Sequence, residues 1–559
     1  MNPTSGALNL AWADAFVAGL AAAGLRRVVL APGARSAPLA LACLRRPELV
    51  CEVMTDERVA GYFALGLARA SGEPAAVLCT SGTAAANLLP AVMEAGLAGV
   101  PLLVLTADRP AEAHGWGANQ TADQTRLYGS HVRAFHAVSV PNAAVDLAYL
   151  HALAARLLEE CRGPLPGPVH ANLPLREPLL PAEIPPPSPL PALRTVAAAP
   201  ALPRPEDVDA LAARLSGGPG VIVCGEADYP PAFAPALAAL AARLDAPVLA
   251  EPLANLRWGG HDRSRILAHQ ARFLRDSQLP APAWVLRFGA FPVSRTLERW
   301  LAGQREAHHI LVAPAGRWPD PLWRSGTVVR ADALALTEAL MPRVAPAPGG
   351  GCGAWCDAEA RAAAAAESLC AEAPLFEGSV ARCLIAAMPA GGRLFVGNSL
   401  AIRAVDAFGG GREMPLTLHG NRGASGIDGN IATAAGIATA GGTPTALLLG
   451  DQAALHDCGG LAALAGRPVV VVVMDNGGGG IFDHLPLAQA VPADLLQRGW
   501  TAPPQVDFAA LAATFGLRYI KAEDGGTLDS ALNAAFAAGG PWLLRVAIDR
   551  HISRERFGA

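Results

Sequence analysis

The sequence predicts an α/β protein built from three doubly wound parallel-sheet domains. Short apolar runs alternate with stretches of helical length along the 559-residue chain, which is the pattern of parallel strands joined by crossover helices. Two proline-rich stretches, 181–205 and 344–348, interrupt this alternation and have the composition of extended linkers. The expected domains are therefore residues 1–185, 205–345 and 355–559, each of ordinary domain size.

The predicted strands are apolar runs, three in each domain. Five consecutive valines, Val469 to Val473, indicate a strand that is buried on both faces, as in a parallel sheet. The complete set is 27–30, 76–79 and 102–106 in the first domain, 220–224, 284–287 and 310–312 in the second, and 394–396, 446–449 and 469–473 in the third.

Composition and charge exclude several classes of function. The formal net charge of −4 does not predict a nucleic-acid-binding surface. The longest uncharged stretch, 431–450, contains glycines and Pro444, so it suits a helix, a turn and a strand better than a membrane span. The sequence has no Gly-x-x-x-x-Gly-Lys loop for P-loop phosphate chemistry. Its N-terminus lacks a basic segment and its 10 cysteines are scattered, so we expect a cytoplasmic protein with reduced thiols.

Polar residues follow two of the buried strands in the third domain. Gly450 and Asp451 come directly after the run 446–449, and Asp475 and Asn476 follow the valines. If the two strands are parallel neighbours, both polar ends lie at the carboxyl edge of the sheet, where open α/β sheets bind ligands. Asp451 and Asn476 would then offer oxygen ligands to a hard cation, and a carbonyl of the following glycine turn would be a third ligand.

Polar turns in the first domain also follow predicted strands. Residues 31–36 can present backbone N–H groups to an anion, with Arg35 as a carboxylate clamp, although an ordinary turn with a surface arginine is the commoner explanation. Residues 80–83 suit either a ligand-facing turn or a helix N-cap. Residues 106–110 end a strand and 117–120 follow in a loop, and binding residues are common in such places.

Two further features leave both a structural and a functional interpretation open. Glu57 opens a predicted helix, where an acid either complements the helix dipole or is available for proton transfer. Residues 421–429 are rich in glycine and polar side chains, as in a flexible loop, but they include the isolated apolar Ile427. A side chain of that kind suits the support of a flat heterocycle.

Taken together, these motifs resemble those of thiamine diphosphate enzymes, and in particular the branch that acts in menaquinone biosynthesis. The general signature is Gly-Asp-Gly, about 25 residues and Asn-Asn. This chain has Gly450-Asp451-Gln452 and then Asp475-Asn476. The more specific matches occur in the family's order and are residues 32–39, 80–84, 106–110, 117–120, 421–429 and 478–482.

The resemblance implies roles for the candidate site residues. Glu57, Gln120 and Arg35 would be catalytic, with Glu57 hydrogen-bonded to the aminopyrimidine ring of the cofactor. Mg²⁺ or Mn²⁺ on the diphosphate would be held by Asp451, Asn476 and the Gly478 carbonyl. The remaining cofactor contacts would be Thr80, Ser81, Gly82, Ile427, Ile481 and Phe482. The substrates, including their carboxylates, would be bound by Arg35, Arg109, Asn119, Gln120, Arg295, Ser399, Arg403 and Arg422.

The resemblance also implies the reaction and the assembly. The enzyme would decarboxylate 2-oxoglutarate and add the succinyl-semialdehyde carbanion to isochorismate by 1,4-addition, giving 2-succinyl-5-enolpyruvyl-6-hydroxy-3-cyclohexene-1-carboxylate. The first domain would bind the pyrimidine, the third would bind the diphosphate and metal, and the central domain would supply no catalytic group. Because the cofactor would lie between domains of two subunits, a homodimer or a homotetramer is expected, with no nucleic-acid or membrane partner.

Two alternatives stay open at this point. Another thiamine diphosphate-dependent 2-oxo acid decarboxylase, or an acetohydroxyacid synthase-like enzyme, would share Glu57, Asp451 and Asn476 but would not need so many carboxylate-binding arginines. An inactive cofactor-binding regulatory protein is the alternative of another class, and the presence of Glu57 argues against it.

Three positions depart from the family pattern. Ala34 replaces a serine, Asp475 replaces the first asparagine of the usual pair, and Gly477 stands where asparagine or aspartate is usual. We expect the Asp475 side chain to point away from the ligand while adding negative charge near the metal. None of the three removes a residue that is assigned to proton transfer or to metal ligation.

Overall fold

The computed structural model describes residues 4–192, 196, 199–275, 278–313 and 316–558. Within those ranges the chain forms three parallel sheets of six strands each, which confirms the predicted α/β class. All nine predicted apolar runs lie in strands of these sheets. The proposed domain limits at 1–185, 205–345 and 355–559 stay a prediction.

The first and third sheets have the same strand order, and the second has another. The first sheet has the order β2-β1-β3-β4-β6-β5 and is formed by β1 Arg27–Leu30, β2 Val50–Val53, β3 Ala75–Cys79, β4 Leu102–Asp108, β5 Ala134–Ala137 and β6 Val169–Pro174. The second has the order β12-β11-β10-β7-β8-β9 and is formed by β7 Gly220–Cys224, β8 Val248–Ala250, β9 Ile266–Leu267, β10 Trp284–Phe288, β11 His308–Val312 and β12 Ser325–Val329. The third has the order β14-β13-β15-β16-β18-β17 and is formed by β13 Gly392–Val396, β14 Leu416–His419, β15 Thr445–Gly450, β16 Val469–Asp475, β17 Arg518–Ala522 and β18 Trp542–Ala547.

Helices connect the strands. Those up to the end of the second sheet and its last helix are α1 Ser5–Ala22, α2 Ala37–Leu44, α3 Glu57–Ser71, α4 Thr83–Asn87, α5 Leu89–Ala98, α6 Ala148–Arg162, α7 Pro205–Leu215, α8 Phe233–Leu244, α9 Gln270–Phe273, α10 Arg295–Gly303 and α11 Ala333–Leu340. The remainder are α12 Gly353–Ala371, α13 Glu377–Ala387, α14 Leu400–Phe408, α15 Asn430–Gly441, α16 Asp451–His456, α17 Leu487–Ala490, α18 Ala493–Leu496, α19 Phe508–Thr514, α20 Gly525–Ala538 and α21 Arg550–Gly558. In the described part of the chain, no helix is both long enough and apolar enough to span a bilayer.

The chain divides into two compact units. One unit consists of Met1–Ala198, Asn421–Gly442 and His456–Arg467, and it contains the first sheet. The other consists of Ala199–Gly420, Thr443–Leu455 and Pro468–Ala559, and it contains the second and third sheets. Helix α15 therefore belongs to the same unit as α3, although α15 directly precedes a strand of the third sheet.

Glycines allow α3 and α15 to approach each other closely. A Cβ atom on Gly66 of α3 would lie 2.1 Å from the carbonyl oxygen of Thr433, and one on Gly436 of α15 would lie 2.2 Å from that of Phe63. Because real Cβ atoms do not come so near a backbone oxygen, both glycines are needed for this helix pair. The contact matters for function, since α3 begins with Glu57 and α15 follows the loop 421–429.

Replacing Gly436 with alanine should therefore destabilise the protein. The added methyl group has no space, and overpacking of this kind costs about 1–3 kcal/mol. Thermal unfolding followed by circular dichroism should show a lower midpoint. Gly353→Ala is the matched control, because a Cβ on that helical glycine meets no atom within 4 Å. Equal midpoints for the two variants would contradict the close approach.

Candidate active site

The central strands of the first sheet end in turns that touch each other. β1 and β4 both pair with β3, so the turns after these strands lie at one carboxyl edge. A Cβ on Gly33 would lie 2.3 Å from the Thr80 Cβ, which means that the turn after β1 packs on the turn after β3. Ser81 in the second turn is fully buried, and its hydroxyl has no hydrogen-bond partner among the described residues. A buried hydroxyl without a partner is a polar group available to a ligand.

Two predicted substrate arginines meet at this edge. Arg35 is buried and donates to the carbonyl of Leu175 at 2.8 Å and to the exposed carboxylate of Glu177 at 2.7 Å. Burial, and then the positive charge of Arg35, lower the pKa of Arg109. Arg109 Nη1 is buried without a partner in the described part of the structure. The two guanidinium groups thus repel each other, and a bound carboxylate would relieve that repulsion.

The loop after β4 brings Gln120 to the same turn. Gln120 Nε2 donates a hydrogen bond to the Ser81 carbonyl at 2.9 Å, and its backbone has a positive φ of 54°. Asn119 is exposed beside it. The structure therefore joins Arg35, Ser81 and Gln120, three residues predicted from separate motifs, at one strand edge.

Glu57 is the first residue of α3 and is half-buried. The preceding residue, Asp56, is the N-cap and accepts hydrogen bonds from the N–H groups of Arg58 at 2.9 Å and Val59 at 3.2 Å. Because Asp56 serves the helix end, Glu57 is not needed as a cap. Burial, and secondarily the charge of Glu57, raise the pKa of the Cys79 thiol at the end of β3. Glu57 thus lies near the strand end that leads into Thr80.

The loop 421–429 is fastened to α3 and α5. Buried Glu94 of α5 accepts hydrogen bonds from the N–H groups of Gly423 at 2.9 Å and Ala424 at 2.7 Å. At the other end of the loop, Tyr62 of α3 donates to Asp428 at 2.6 Å. These contacts hold the loop segments that carry Arg422 and Ile427, both of which are half-buried.

The third sheet places Asp451 and Asn476 at the ends of neighbouring strands, as predicted. β15 and β16 are parallel, with Gly450 opposite Met474. The Gly478 N–H donates to Asp451 Oδ2 at 2.7 Å, so the glycine turn folds back onto this carboxylate. Burial raises the pKa of Asp451 to about 7. A buried carboxylate that is costly to ionise alone is stabilised by a cation.

Asn476 has one side-chain atom fixed and the other without a partner. Its Nδ2 donates to Glu377 Oε1 at 2.8 Å, and Glu377 is fully buried at the start of α13. Ser553 of α21 donates to the other Glu377 oxygen. This orients Asn476 Oδ1 away from Glu377, and that oxygen is buried with no partner within the described ranges. An oriented, unpartnered amide oxygen fits the coordination of Mg²⁺ or Mn²⁺.

The Asp475 side chain contacts both Arg545 and Asp451, so it is not turned fully away from the predicted metal site. Asp475 is the last residue of β16, and its carboxylate accepts a hydrogen bond from Arg545 Nε at 2.6 Å. After burial, contact with Asp475 is among the causes that raise the pKa of Asp451. The expected added negative charge is therefore present, partly balanced by Arg545.

The remaining predicted residues lie in the second unit. Ser399 follows β13 with a positive φ of 66°, and its carbonyl accepts a hydrogen bond from the exposed Arg403 at 2.6 Å. Arg295 is exposed at the start of α10. Ile481 and Phe482 are half-buried in a 3₁₀ turn that follows Gly478, with the Gly478 carbonyl accepting from the Gly480 N–H at 2.6 Å.

Sequence reasoning missed several residues that support these sites. They are Gln124 and Asn172 beside the turn 80–82, Glu94 under the loop 421–429, and Glu377 behind Asn476. All four are polar side chains that are buried, which is uncommon unless they are hydrogen-bonded. Their partners are distant in sequence, so no local motif marks them.

Comparisons with known proteins bear on the identity of this chain. Residues 11–127 match the N-terminal TPP-binding domain of thiamine pyrophosphate enzymes, and residues 408–546 match the C-terminal TPP-binding domain. A relative from Dechloromonas aromatica, named 2-succinyl-5-enolpyruvyl-6-hydroxy-3-cyclohexene-1-carboxylate synthase, is 43% identical over 97% of this chain and 99% of its own length. The chain belongs to this synthase family. It is thus a thiamine diphosphate enzyme, as its motifs predict.

Further relatives of the synthase family agree in name and extent. One from Chloroflexus aurantiacus carries the same name and is 41% identical over 94% of this chain and 92% of its own length. Another from Myxococcus xanthus, again with this name, is 40% identical over 97% of this chain and 95% of its own length. The crystal structure of a benzoylformate decarboxylase from Polynucleobacter necessarius is similar with a TM-score of 0.71, at 16% identity over 96% of this chain and 98% of that one. At this identity the likeness shows the shared fold alone.

Proposed function

We propose that this member of the synthase family decarboxylates 2-oxoglutarate and adds the four-carbon unit to isochorismate by 1,4-addition. The product is 2-succinyl-5-enolpyruvyl-6-hydroxy-3-cyclohexene-1-carboxylate, an intermediate of menaquinone biosynthesis. The names of the relatives support this reaction. We further propose a cytoplasmic homodimer or homotetramer, with the domains at 1–185, 205–345 and 355–559.

The observation that carries the proposal is the arginine pair at the first sheet. Both substrates are dicarboxylates, and Arg35 and Arg109 lie close enough for one guanidinium to lower the pKa of the other. Arg35 already binds a carboxylate in the structure, that of Glu177. Arg109 Nη1 is buried and has no hydrogen-bond partner among the described residues. It would donate to a substrate carboxylate. A decarboxylase for an apolar 2-oxo acid has a single substrate carboxylate to bind and would not need so many carboxylate-binding arginines.

The residues present also fit the cofactor and its metal. Asp451, Asn476 Oδ1 and the Gly478 carbonyl would hold Mg²⁺ or Mn²⁺ on the diphosphate, and the unpartnered Asn476 oxygen supports this assignment. When bound, thiamine diphosphate supplies an electron sink for the pair that decarboxylation releases. Thr80, Ser81 and Gly82 would face the pyrimidine, and Ile427, Ile481 and Phe482 would contact the cofactor.

The other side chains would bind, orient and transfer protons. Glu57 would exchange a proton with the aminopyrimidine ring, because its carboxylate is half-buried and Asp56 already caps the helix. Gln120 would act on the bound substrate from its position against Ser81. The other proposed substrate contacts are Asn119, Arg295, Ser399, Arg403 and Arg422.

A direct assay tests this proposal. Purified protein is incubated with thiamine diphosphate, Mg²⁺, 2-oxoglutarate and isochorismate, and CO₂ release is compared with isochorismate consumption. We expect the two to proceed together. CO₂ release that is equally fast without isochorismate, while isochorismate persists, would instead identify a simple decarboxylase. Binding of the cofactor without any turnover would identify an inactive regulatory protein.

Replacing Arg109 with glutamine should raise the KM for a dicarboxylate substrate. A lost hydrogen bond between charged groups costs about 1.5–3 kcal/mol, so we expect an increase of about 10- to 100-fold. Steady-state kinetics with each substrate varied in turn would measure it. Arg156→Gln is the control, because Arg156 pairs with Glu160 on the exposed face of α6. An unchanged KM for both substrates in Arg109→Gln would contradict the proposed role.

A further inference from the structure

Gln124 is a fully buried amide whose neighbours in the loop are exposed. The loop between β4 and β5 exposes Ala122, Asp123 and Thr125, whereas only 1% of Gln124 is accessible to solvent. Polar side chains are rarely buried to this degree unless their hydrogen bonds are satisfied. The partners of Gln124 therefore indicate why the loop folds inward at this residue.

Both ends of the Gln124 amide are used, and they connect two strand ends. Its Oε1 accepts a hydrogen bond from the Gly82 N–H at 2.9 Å. Its Nε2 donates to the Ala107 carbonyl at 3.2 Å and to Asn172 Oδ1 at 2.9 Å. The Gly82 N–H can only donate and the Ala107 carbonyl can only accept, so the Gln124 amide has one possible orientation.

Asn172 extends this network to the residue before Arg109. Its Nδ2 donates to Asp108 Oδ2 at 2.8 Å, and Asp108 Oδ1 accepts from the Arg109 N–H at 2.7 Å. On its other side, Thr106 donates to Asn172 Oδ1 at 2.7 Å and contacts His170 Nε2 at 2.7 Å. Burial lowers the pKa of His170 to about 3, so the ring is neutral. Because Thr106 gives its one hydrogen to Asn172, His170 Nε2 is the donor in the contact with Thr106. The donors and acceptors are consistent from His170 to Arg109.

The network ends at the residues of the proposed active site. Gly82 has a positive φ of 85°, and a Cβ there would lie 3.0 Å from the Gln120 side chain. The preceding carbonyl, that of Ser81, accepts the Gln120 hydrogen bond. A shift of the Gly82 N–H would therefore move both the turn and the atom that holds Gln120.

We propose that Gln124 is a positioning residue, which fixes the turn 80–82 and, through Asn172 and Asp108, the backbone of Arg109 for binding of cofactor and substrate. Gln124 itself touches neither of them. The assignment of these neighbours to cofactor and substrate rests on the proposed function, whereas the hydrogen-bond network does not.

Gln124→Met tests the proposal because methionine keeps the volume and removes the amide. Leaving a buried N–H without its partner is costly, and misplaced binding groups slow catalysis, so kcat/KM should fall by about 10- to 100-fold. Gln270→Met is the matched control. Gln270 is also 1% exposed, and its Nε2 donates to the Ala250 carbonyl at 2.9 Å, but it belongs to the second unit and touches no proposed site residue. Both variants should lose stability, and only Gln124→Met should lose activity.

Two readouts separate this proposal from the proposed function. Hydrogen exchange followed by mass spectrometry should be faster in the peptide containing Gly82 for Gln124→Met, and unchanged there for Gln270→Met. Thiamine diphosphate affinity, measured by calorimetry, should fall by about 10-fold in Gln124→Met alone. If the wild-type protein does not convert the two substrates, the proposed function fails while these measurements still decide the role of Gln124. Equal hydrogen exchange, equal thiamine diphosphate affinity and equal kcat/KM in the two variants would overturn the proposed role of Gln124.

Gln124→Glu provides the test if the methionine variant does not fold. Its carboxyl keeps the shape of the amide, and only the protonated form can donate to Ala107 or Asn172. Burial raises the pKa of the introduced carboxyl, and the negative charge of nearby Asp108 would raise it further. The two histidines in this region are His170 on β6, which is neutral, and His114, which lies 3.6 Å from Asp108. The kcat/KM relative to wild type should therefore recover by about 10-fold on lowering the pH from about 8 to about 6. A ratio that does not change with pH would contradict the network.

Discussion

Replacing Glu57 with glutamine should lower kcat by about 10²- to 10⁴-fold, the usual contribution of a positioned proton-transfer group. Glutamine has the same shape and can still donate and accept hydrogen bonds, but it cannot take or release a proton at neutral pH. The helix should form normally, because Asp56 caps it through its bonds to Arg58 and Val59. The loss should therefore appear in turnover while the thermal midpoint changes little.

The alternative explanation of Glu57 is that it only complements the dipole of α3. A helix-dipole interaction is worth about 0.3–1 kcal/mol of stability and nothing in turnover. Glu206→Gln is the matched control, since Glu206 is an exposed acid in the first turn of α7. Deuterium exchange at C2 of bound thiamine diphosphate separates the two explanations, because it follows proton transfer directly. If Glu57→Gln exchanges this proton and turns over substrate like Glu206→Gln, the dipole explanation is correct.

The strands that the sequence could predict are those with neighbours on both sides. Three of the four internal strands of each sheet were predicted, such as β16, whose five valines lie between β15 and β18, whereas the internal strands β6, β8 and β18 were not. A strand of this kind is covered by helices on both faces, so its sequence is continuously apolar. The edge strands β12 and β14 were not predicted, because they contain polar or exposed residues at several positions. Their pairing depends on the neighbouring strand, which the local sequence does not describe.

The candidate site divides in the same way. Asp451 and Asn476 could be predicted because each directly follows an apolar run, and parallel strands end at a common edge. Glu377 could not, because it lies 99 residues from Asn476 and at a helix start, where an acid has an ordinary explanation. Gln124 is likewise 42 residues from Gly82, in a loop where its neighbours Asp123 and Thr125 are polar and exposed. Motifs thus mark the groups that would touch ligands, whereas the groups behind them are found by following buried hydrogen bonds.

Replacing Asp451 with asparagine should weaken Mg²⁺-dependent binding of thiamine diphosphate by about 100-fold or more. Loss of a group that only supports a metal ligand already lowers metal affinity by about 10- to 100-fold, and Asp451 would be a ligand itself. Two backbone N–H groups, those of Gln452 and Gly478, each bond one oxygen of Asp451 at 2.7 Å. Asparagine removes the negative charge and also places its amide against one of these donors. Titration of the cofactor at several Mg²⁺ concentrations, followed by tryptophan fluorescence, would measure the loss.

Asp475→Asn is the decisive comparison for Asp451, because the two carboxylates are neighbours and differ in their partners. Asp475 is bound by Arg545, and its replacement by asparagine restores the residue that is usual in the family. It also removes a charge that contributes to the raised pKa of Asp451, so the Asp451 carboxylate becomes easier to ionise and cofactor binding should be kept within about 3-fold. Proximity of negative charge alone would make the two variants equally weak. A selective loss in Asp451→Asn would instead follow from direct ligation, because only that carboxylate accepts the hydrogen bond of the Gly478 N–H in the glycine turn.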